Sequence, residues 1–281
     1  MNADMSRRMF FRVAAVSGSG LAVASAAVLG AGTPPPKRKF TLALSCGAIG
    51  VKAGPREAIE LACRFGFEAV EPAADFLGKL SDDALAELLA DMKAKNLAWA
   101  AAGLPVDFRN TEEAFQDSLK RLPDFARSLH RAGAARVGTW LNPSHGSLPY
   151  AENFRRHAQR LREVANVLAN QSLRLGLEYV GPKTSWSAGR HPFIHTMAQL
   201  KELIAAIGCP NVGFMLDSWH WYTAHETRAD LLSLRNADVV CCHLNDAPSG
   251  IPVDQQVDSH RDLPATTGVI DLKTFLSALV E

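Results

Sequence analysis

From residue 40 onward the chain alternates short apolar runs with longer amphipathic stretches, and that alternation limits the folds open to it. The runs are 40–46 (FTLALSC), 68–71 (EAVE), 97–104 (LAWAAAGL), 136–141 (RVGTWL), 174–180 (RLGLEYV), 212–217 (VGFMLD) and 239–244 (VVCCHL). Most are apolar nearly throughout, as expected of parallel strands covered on both faces by helices. The stretches between them carry helix-start signals. Pro55 suits a first helical turn, and Ser81 followed by Asp82 and Asp83 reads as a cap with an acidic first turn. Thr111 opens what the pattern predicts as one long helix to residue 132. Further helices are expected at 150–170, 193–207, 226–236 and 271–280. A doubly wound sheet would usually carry a Gly-rich phosphate loop after its first strand, and 45–54 (SCGAIGVKAG) matches that pattern poorly. The expected fold class is therefore α/β, a (β/α)8 TIM barrel, with about seven strand runs present.

Composition narrows the partners. The chain is 47% hydrophobic and has a formal net charge of +1, which supplies a core but no basic excess for a nucleic-acid surface. Five cysteines without CxxC spacing exclude a disulfide framework or zinc ribbon as the organising element. Cys46, Cys63, Cys241 and Cys242 are expected to be buried as small hydrophobes. Residues 1–36 read as an address followed by a spacer. Ser6-Arg7-Arg8-Met9-Phe10 precede a Gly-interrupted apolar run and then Pro34, Pro35 and Pro36. This resembles a bacterial twin-arginine export signal, which implies the translocation machinery as a partner and a periplasmic location. The run lacks the ~20 strongly apolar residues of a stable membrane span. Residues 37–281 are left as one domain, close to the ~250 residues typical of a barrel.

Candidate chemistry sits at the ends of the fifth, sixth and seventh runs, which carry Glu178, Asp217 and His243. In parallel α/β folds functional groups project from the carboxyl ends of the strands. Two carboxylates and an imidazole form a mixed oxygen and nitrogen set suited to Mn²⁺, Mg²⁺, Co²⁺ or Zn²⁺. Singly, each could be a helix cap or a core histidine; in this order on successive strands they favour a shared cation. Glu71 ends the second run and is either a substrate contact or a cap beside Pro72. Trp140, Asn142, His145 and Lys183 fall in loops on the same presumed face, whereas His191 and His195 are expected to be structural.

Four segments, GLEYVGPK (176–183), LDSWHWY (216–222), CHLNDAP (242–248) and LPATTGVIDL (263–272), resemble the xylose isomerase-like TIM-barrel superfamily. More narrowly, they resemble its sugar phosphate isomerase/epimerase branch, which includes tagatose/psicose epimerases and inosose dehydratases. The resemblance implies Glu178, Asp217 and His243 as metal ligands and His220 and Arg261 as substrate contacts. It also implies a fourth ligand, a Glu on an eighth strand. Glu281 stands where helix is expected, so the barrel is expected to be C-terminally incomplete. The implied activity is a divalent-metal-dependent sugar isomerase or epimerase acting on a small carbohydrate. Glu178 would remove a proton next to a carbonyl to give an enediolate. An inosose-type dehydratase, a nuclease of the kind related barrels provide, and a non-catalytic carbohydrate-binding remnant remain as alternatives. Self-association is left open.

Overall fold

The apolar runs do form parallel strands, laid side by side in chain order. The computed structural model describes residues 39–281, and the twin-arginine segment lies outside the described residues. The strands are β1 (Ala43–Leu44), β2 (Ala69–Val70), β3 (Ala98–Trp99), β4 (Ala102–Gly103), β5 (Arg136–Trp140), β6 (Ser144–His145), β7 (Arg174–Glu178), β8 (His191–Pro192), β9 (Val212–Asp217) and β10 (Val239–His243). β1, β2 and β3 make one parallel sheet, and β4, β5, β7, β9 and β10 make a second. Within each parallel sheet helices connect successive strands, so the architecture is α/β and TIM-barrel-like, a curled parallel wall. Among the described residues no strand joins β10 to β1. β6 and β8 pair antiparallel and tie two long loops together.

Two expectations need correction. The third run does not form one strand: β3 pairs with β2 through Ala98 and Ala69, and β4 pairs with β5 through Ala102 and Val137. Its Ala-rich sequence lacks the β-branched residues that favour continuous pairing. The helix expected over 111–132 is two, Glu112–Leu119 and Leu122–Arg131. Pro123 stands in the first turn of the second, where its missing N–H costs nothing but prevents a continuous ladder. The caps at Ser81 and Thr111 form as expected, each side chain accepting the amide three residues on at 3.2 Å. Cys63 and Cys242 are exposed rather than buried.

Register places the chemistry. Trp140 lies opposite Glu178, and His243 lies opposite Asp217. Strand side chains alternate, so Gly138 and Trp140, Gly176 and Glu178, and Gly213, Met215 and Asp217 share the inner face. Val137, Leu175, Leu177, Phe214 and Leu216 point outward and join Leu161, Leu200 and Leu203 in the core. Each such side chain contributes about 1.5–3 kcal/mol by burial. On the inner face Gly138 and Gly176 are neighbours. A Cβ on Gly138 would meet Met215 Sδ at 2.5 Å, and one on Gly176 would meet the Cβ atoms of Met215 and Val240 at 3.2 Å. Met215 therefore fills the level directly below the strand-end acids.

Candidate active site

Asp217 is the best-held group at the strand ends. It finishes β9 and caps the helix Ser218–Thr223, accepting the Trp219 amide on Oδ1 at 2.8 Å. Asn245 Nδ2 donates to both carboxylate oxygens at 3.0 and 3.1 Å, and Arg261 Nη1 donates to Oδ2 at 2.8 Å. Asp217 is 1% exposed. Burial opposes its charged form, but His220, Arg261 and His243 outweigh that cost and hold its pKa below the ordinary carboxylate value.

Glu178 ends β7 and is also buried. Its Oε1 lies 3.3 Å from His243 Nδ1 and its Oε2 3.9 Å from His220 Nε2. The His243 contact is an ion-pair distance outside hydrogen-bonding geometry, so this buried carboxylate oxygen has no hydrogen-bond donor. Such an atom is costly unless a proton or a cation completes it. His243, at the end of β10, has a side chain 45% exposed. Burial acts to lower its pKa, but the adjacent Glu178 carboxylate, with Asp217 and Glu71 behind it, raises it to about 9.

The three ligand atoms within 4.8 Å of one another come from Glu178, Asp217 and His220. His220, expected to meet substrate, thus groups with both acids, although His243 stands nearer to Glu178. Its hydrogen bonding nevertheless argues against a ligand role. The Gly181 N–H donates to His220 Nδ1 at 3.2 Å and Arg261 Nη2 stands 3.3 Å from Nε2; a neutral ring accepts from only one of them, and with Gly181 as that donor its proton sits on Nε2, the atom facing the acids. That atom is a donor, suited to a substrate oxygen rather than a cation. Gly181 itself has no room for a side chain: a Cβ there would stand 2.5 Å from the His220 carbonyl oxygen. His243, the residue expected from strand order, is not among these three and instead pairs with Glu178 at 3.3 Å.

Arg261 sits deeper in the site than a substrate contact alone requires. Besides Asp217 it reaches Asp258, through Nη2 to Oδ1 at 2.8 Å and Nε to the carbonyl at 2.9 Å. Its guanidinium lies over the Trp219 ring, 5.3 Å from the centroid. The loop that carries it is clamped by Asp246, which is fully buried. Asp246 accepts four backbone amides, from Ala247, Thr267, Gly268 and Ile270, at 2.8–3.0 Å. Burial works against this charge, but the four amides hold its pKa far below the usual range.

Glu71 follows β2, is exposed, and contributes its charge to His243. Trp140 is 47% exposed at the mouth and stacks on Arg109, 4.2 Å from the ring centroid. Lys183 pairs with Asp254 at 2.9 Å, His145 accepts the Ser147 and Leu148 amides, and His195 stacks on Trp186. The sequence reading passed over Glu226, whose carboxylate accepts the Tyr179 hydroxyl and, at 2.6 Å, the Met197 amide. Burial pushes its pKa up to about 7. Asn245 and Asp246 were passed over too, although both stand in the CHLNDAP segment directly after an apolar strand.

The chain has parallels among known proteins. The xylose isomerase-like TIM barrel family matches residues 59–281. An inosose isomerase of Bacillus velezensis is 25% identical over 234 residues, covering 80% of this chain and 79% of its own. A xylose isomerase domain protein from Alicyclobacillus acidocaldarius superposes with a TM-score of 0.72 at 35% identity, covering 82% of this chain and 81% of its own. The crystal structure of an IOLI protein with a bound zinc atom superposes with a TM-score of 0.70 at 20% identity, over 86% and 85% of the two chains.

Proposed function

Because the chain belongs to the xylose isomerase-like TIM barrel family, we propose that it isomerises or epimerises a small polyhydroxylated ketone with the help of a divalent cation. The resemblance to an inosose isomerase favours a cyclic substrate of that type. The observation that carries the reading is Glu178 Oε1, a buried carboxylate oxygen with no hydrogen-bond donor, beside Asp217 and His243.

Glu178, Asp217 and His243 would hold the cation, a hard donor set open to Mn²⁺, Mg²⁺, Co²⁺ or Zn²⁺. When bound it would polarise a carbonyl and acidify the neighbouring C–H. The protein's own groups then divide the work. Glu178, whose Oε1 carries no hydrogen-bond donor, takes the proton from carbon. Nε2–H of His220 donates to a substrate oxygen, its direction fixed by the Gly181 amide. Arg261 neutralises negative charge that develops on the substrate oxygens. Trp140 supplies an apolar wall at the mouth that limits water around the reacting carbon.

The test is solvent deuterium incorporation next to the carbonyl, across a panel of inososes and ketoses, before and after chelation. Label uptake with a converted product, abolished by chelator and restored by Mn²⁺ or Zn²⁺, is the expected result. Binding without label uptake sinks the reading in favour of a remnant that binds carbohydrate; an unsaturated product points to a dehydratase. We further propose export through the twin-arginine route, on the strength of Ser6-Arg7-Arg8-Met9-Phe10. Changing Arg7 and Arg8 together to Lys should leave the protein in the cytoplasmic fraction, and unchanged fractionation would refute export by this route.

A further inference from the structure

We propose that Arg261 is an exchangeable resident cation of the site, so that binding a divalent ion and releasing Arg261 from Asp217 are one event. The inference rests on the reading of these residues as a cation centre. Four observations carry it. First, the guanidinium stands among the clustered groups themselves, with Nη1 2.8 Å from Asp217 Oδ2 and Nη2 3.3 Å from His220 Nε2. Second, Asp217 Oδ1 accepts both the Trp219 amide and Asn245, while Oδ2 shares Asn245, at 3.1 Å, with the arginine alone, so Oδ2 is the oxygen more open to an exchangeable cation. Third, the contact with His220 is imperfect. The Gly181 amide is placed on Nδ1 and Arg261 Nη2 on Nε2, and a neutral imidazole can accept from only one of them, so the two donors compete for the ring. Fourth, Arg261 has a second carboxylate at hand. Asp258 already binds Nη2 and Nε, three residues earlier in the same loop, and can keep the charge paired after Asp217 is given up.

A buried carboxylate has one charge to neutralise, and two cations on one oxygen repel strongly in a site shielded from water. Arginine and ion therefore compete. The released guanidinium, pivoting on Asp258, is then free to meet substrate oxygens. Ion binding would in this way precede and prepare substrate binding.

The experiment is calorimetric titration of Mn²⁺ into the purified full chain, the Arg261→Ala and Arg261→Lys variants, and Glu178→Gln as a control. Removing the competitor should tighten Mn²⁺ binding about 10-fold in Arg261→Ala, with a smaller gain in Arg261→Lys, whose point charge pairs less well with a carboxylate. Mn²⁺ should also raise the melting temperature of Arg261→Ala by more than that of the parent. Equal or weaker binding in both arginine variants, while the parent binds Mn²⁺ in a Glu178-dependent way, overturns the exchange alone. If the parent binds no Mn²⁺, or binds it equally well as Glu178→Gln, the cation-centre reading fails and takes the exchange with it. Should Arg261→Ala not fold, Arg261→Lys decides.

Discussion

Glu178→Gln is expected to lower turnover at least about 100-fold under saturating cation, with the fold unchanged. The substitution keeps shape and volume at the end of β7 and removes the charge and the proton-accepting oxygen together. Oε1 is the atom at stake, buried and without a donor, so no hydrogen-bond network collapses when it changes. The loss should fall on kcat rather than KM, because a base acts in the transition state more than in substrate binding. A second readout comes from His243. With its nearest carboxylate neutralised, its pKa should drop from about 9 toward the ordinary histidine value, which NMR of the imidazole can follow. Near-normal turnover in a folded, cation-loaded variant would remove Glu178 from the chemistry.

Asp246→Ala should be the most damaging single change to stability away from the reacting atoms. It would strip four backbone amides, two buried and two partly buried, of their common acceptor, a loss of roughly 3–5 kcal/mol given the ~1–3 kcal/mol of each unsatisfied buried group and some relaxation. For a domain of this size that amounts to about 10 °C in Tm. Asp246→Asn keeps one good acceptor and should lose less. The sign with pH follows from the direction of the shift. The folded pKa lies far below the unfolded one, so the contribution is full above the ordinary carboxylate value and is lost gradually as the pH falls from there toward the folded value. Thermal unfolding at pH 7 and pH 3 should therefore show a wide gap between parent and variant at the higher pH and a narrower one at the lower. A variant as stable as the parent at pH 7 would show that the loop 262–270 is held by something else.

Much of this was legible in the chain itself, for physical reasons. Parallel strands covered on both faces must be apolar, so the polar residue that ends such a run stands out, and Glu178, Asp217 and His243 were visible as exceptions within hydrophobic text. Family resemblance pointed to His220 and Arg261. The third strand was not legible because LAWAAAGL has an apolar pattern but little intrinsic preference for extended pairing, and its break is set by neighbours on either side. The divided helix could have been read from Pro123, which the amphipathic period over 111–132 concealed. Tautomers and loop clamps were out of reach. That the Gly181 amide fixes the His220 proton, or that Asp246 gathers amides from twenty residues downstream, depends on chain returning to the same place, which spacing does not encode. Exposure of Cys242 has the same origin: a strand residue is buried only if its own edge of the sheet is covered, and among the described residues β10 pairs with β9 alone.

The thioether lodged against Gly138 and Gly176 has a consequence for how this lineage can change. A methyl group at Gly138 would press on the Met215 sulfur, so that position can change only as this flexible side chain shifts or shortens, and a shorter residue at 215 would open a void beneath the acids. A methyl at Gly176 would instead meet the Cβ atoms of Met215 and Val240 at 3.2 Å, which no change of side-chain length relieves. Positions 138 and 215 are therefore coupled, and a laboratory library that randomises these two together should recover paired solutions that one-at-a-time scanning would score as dead ends.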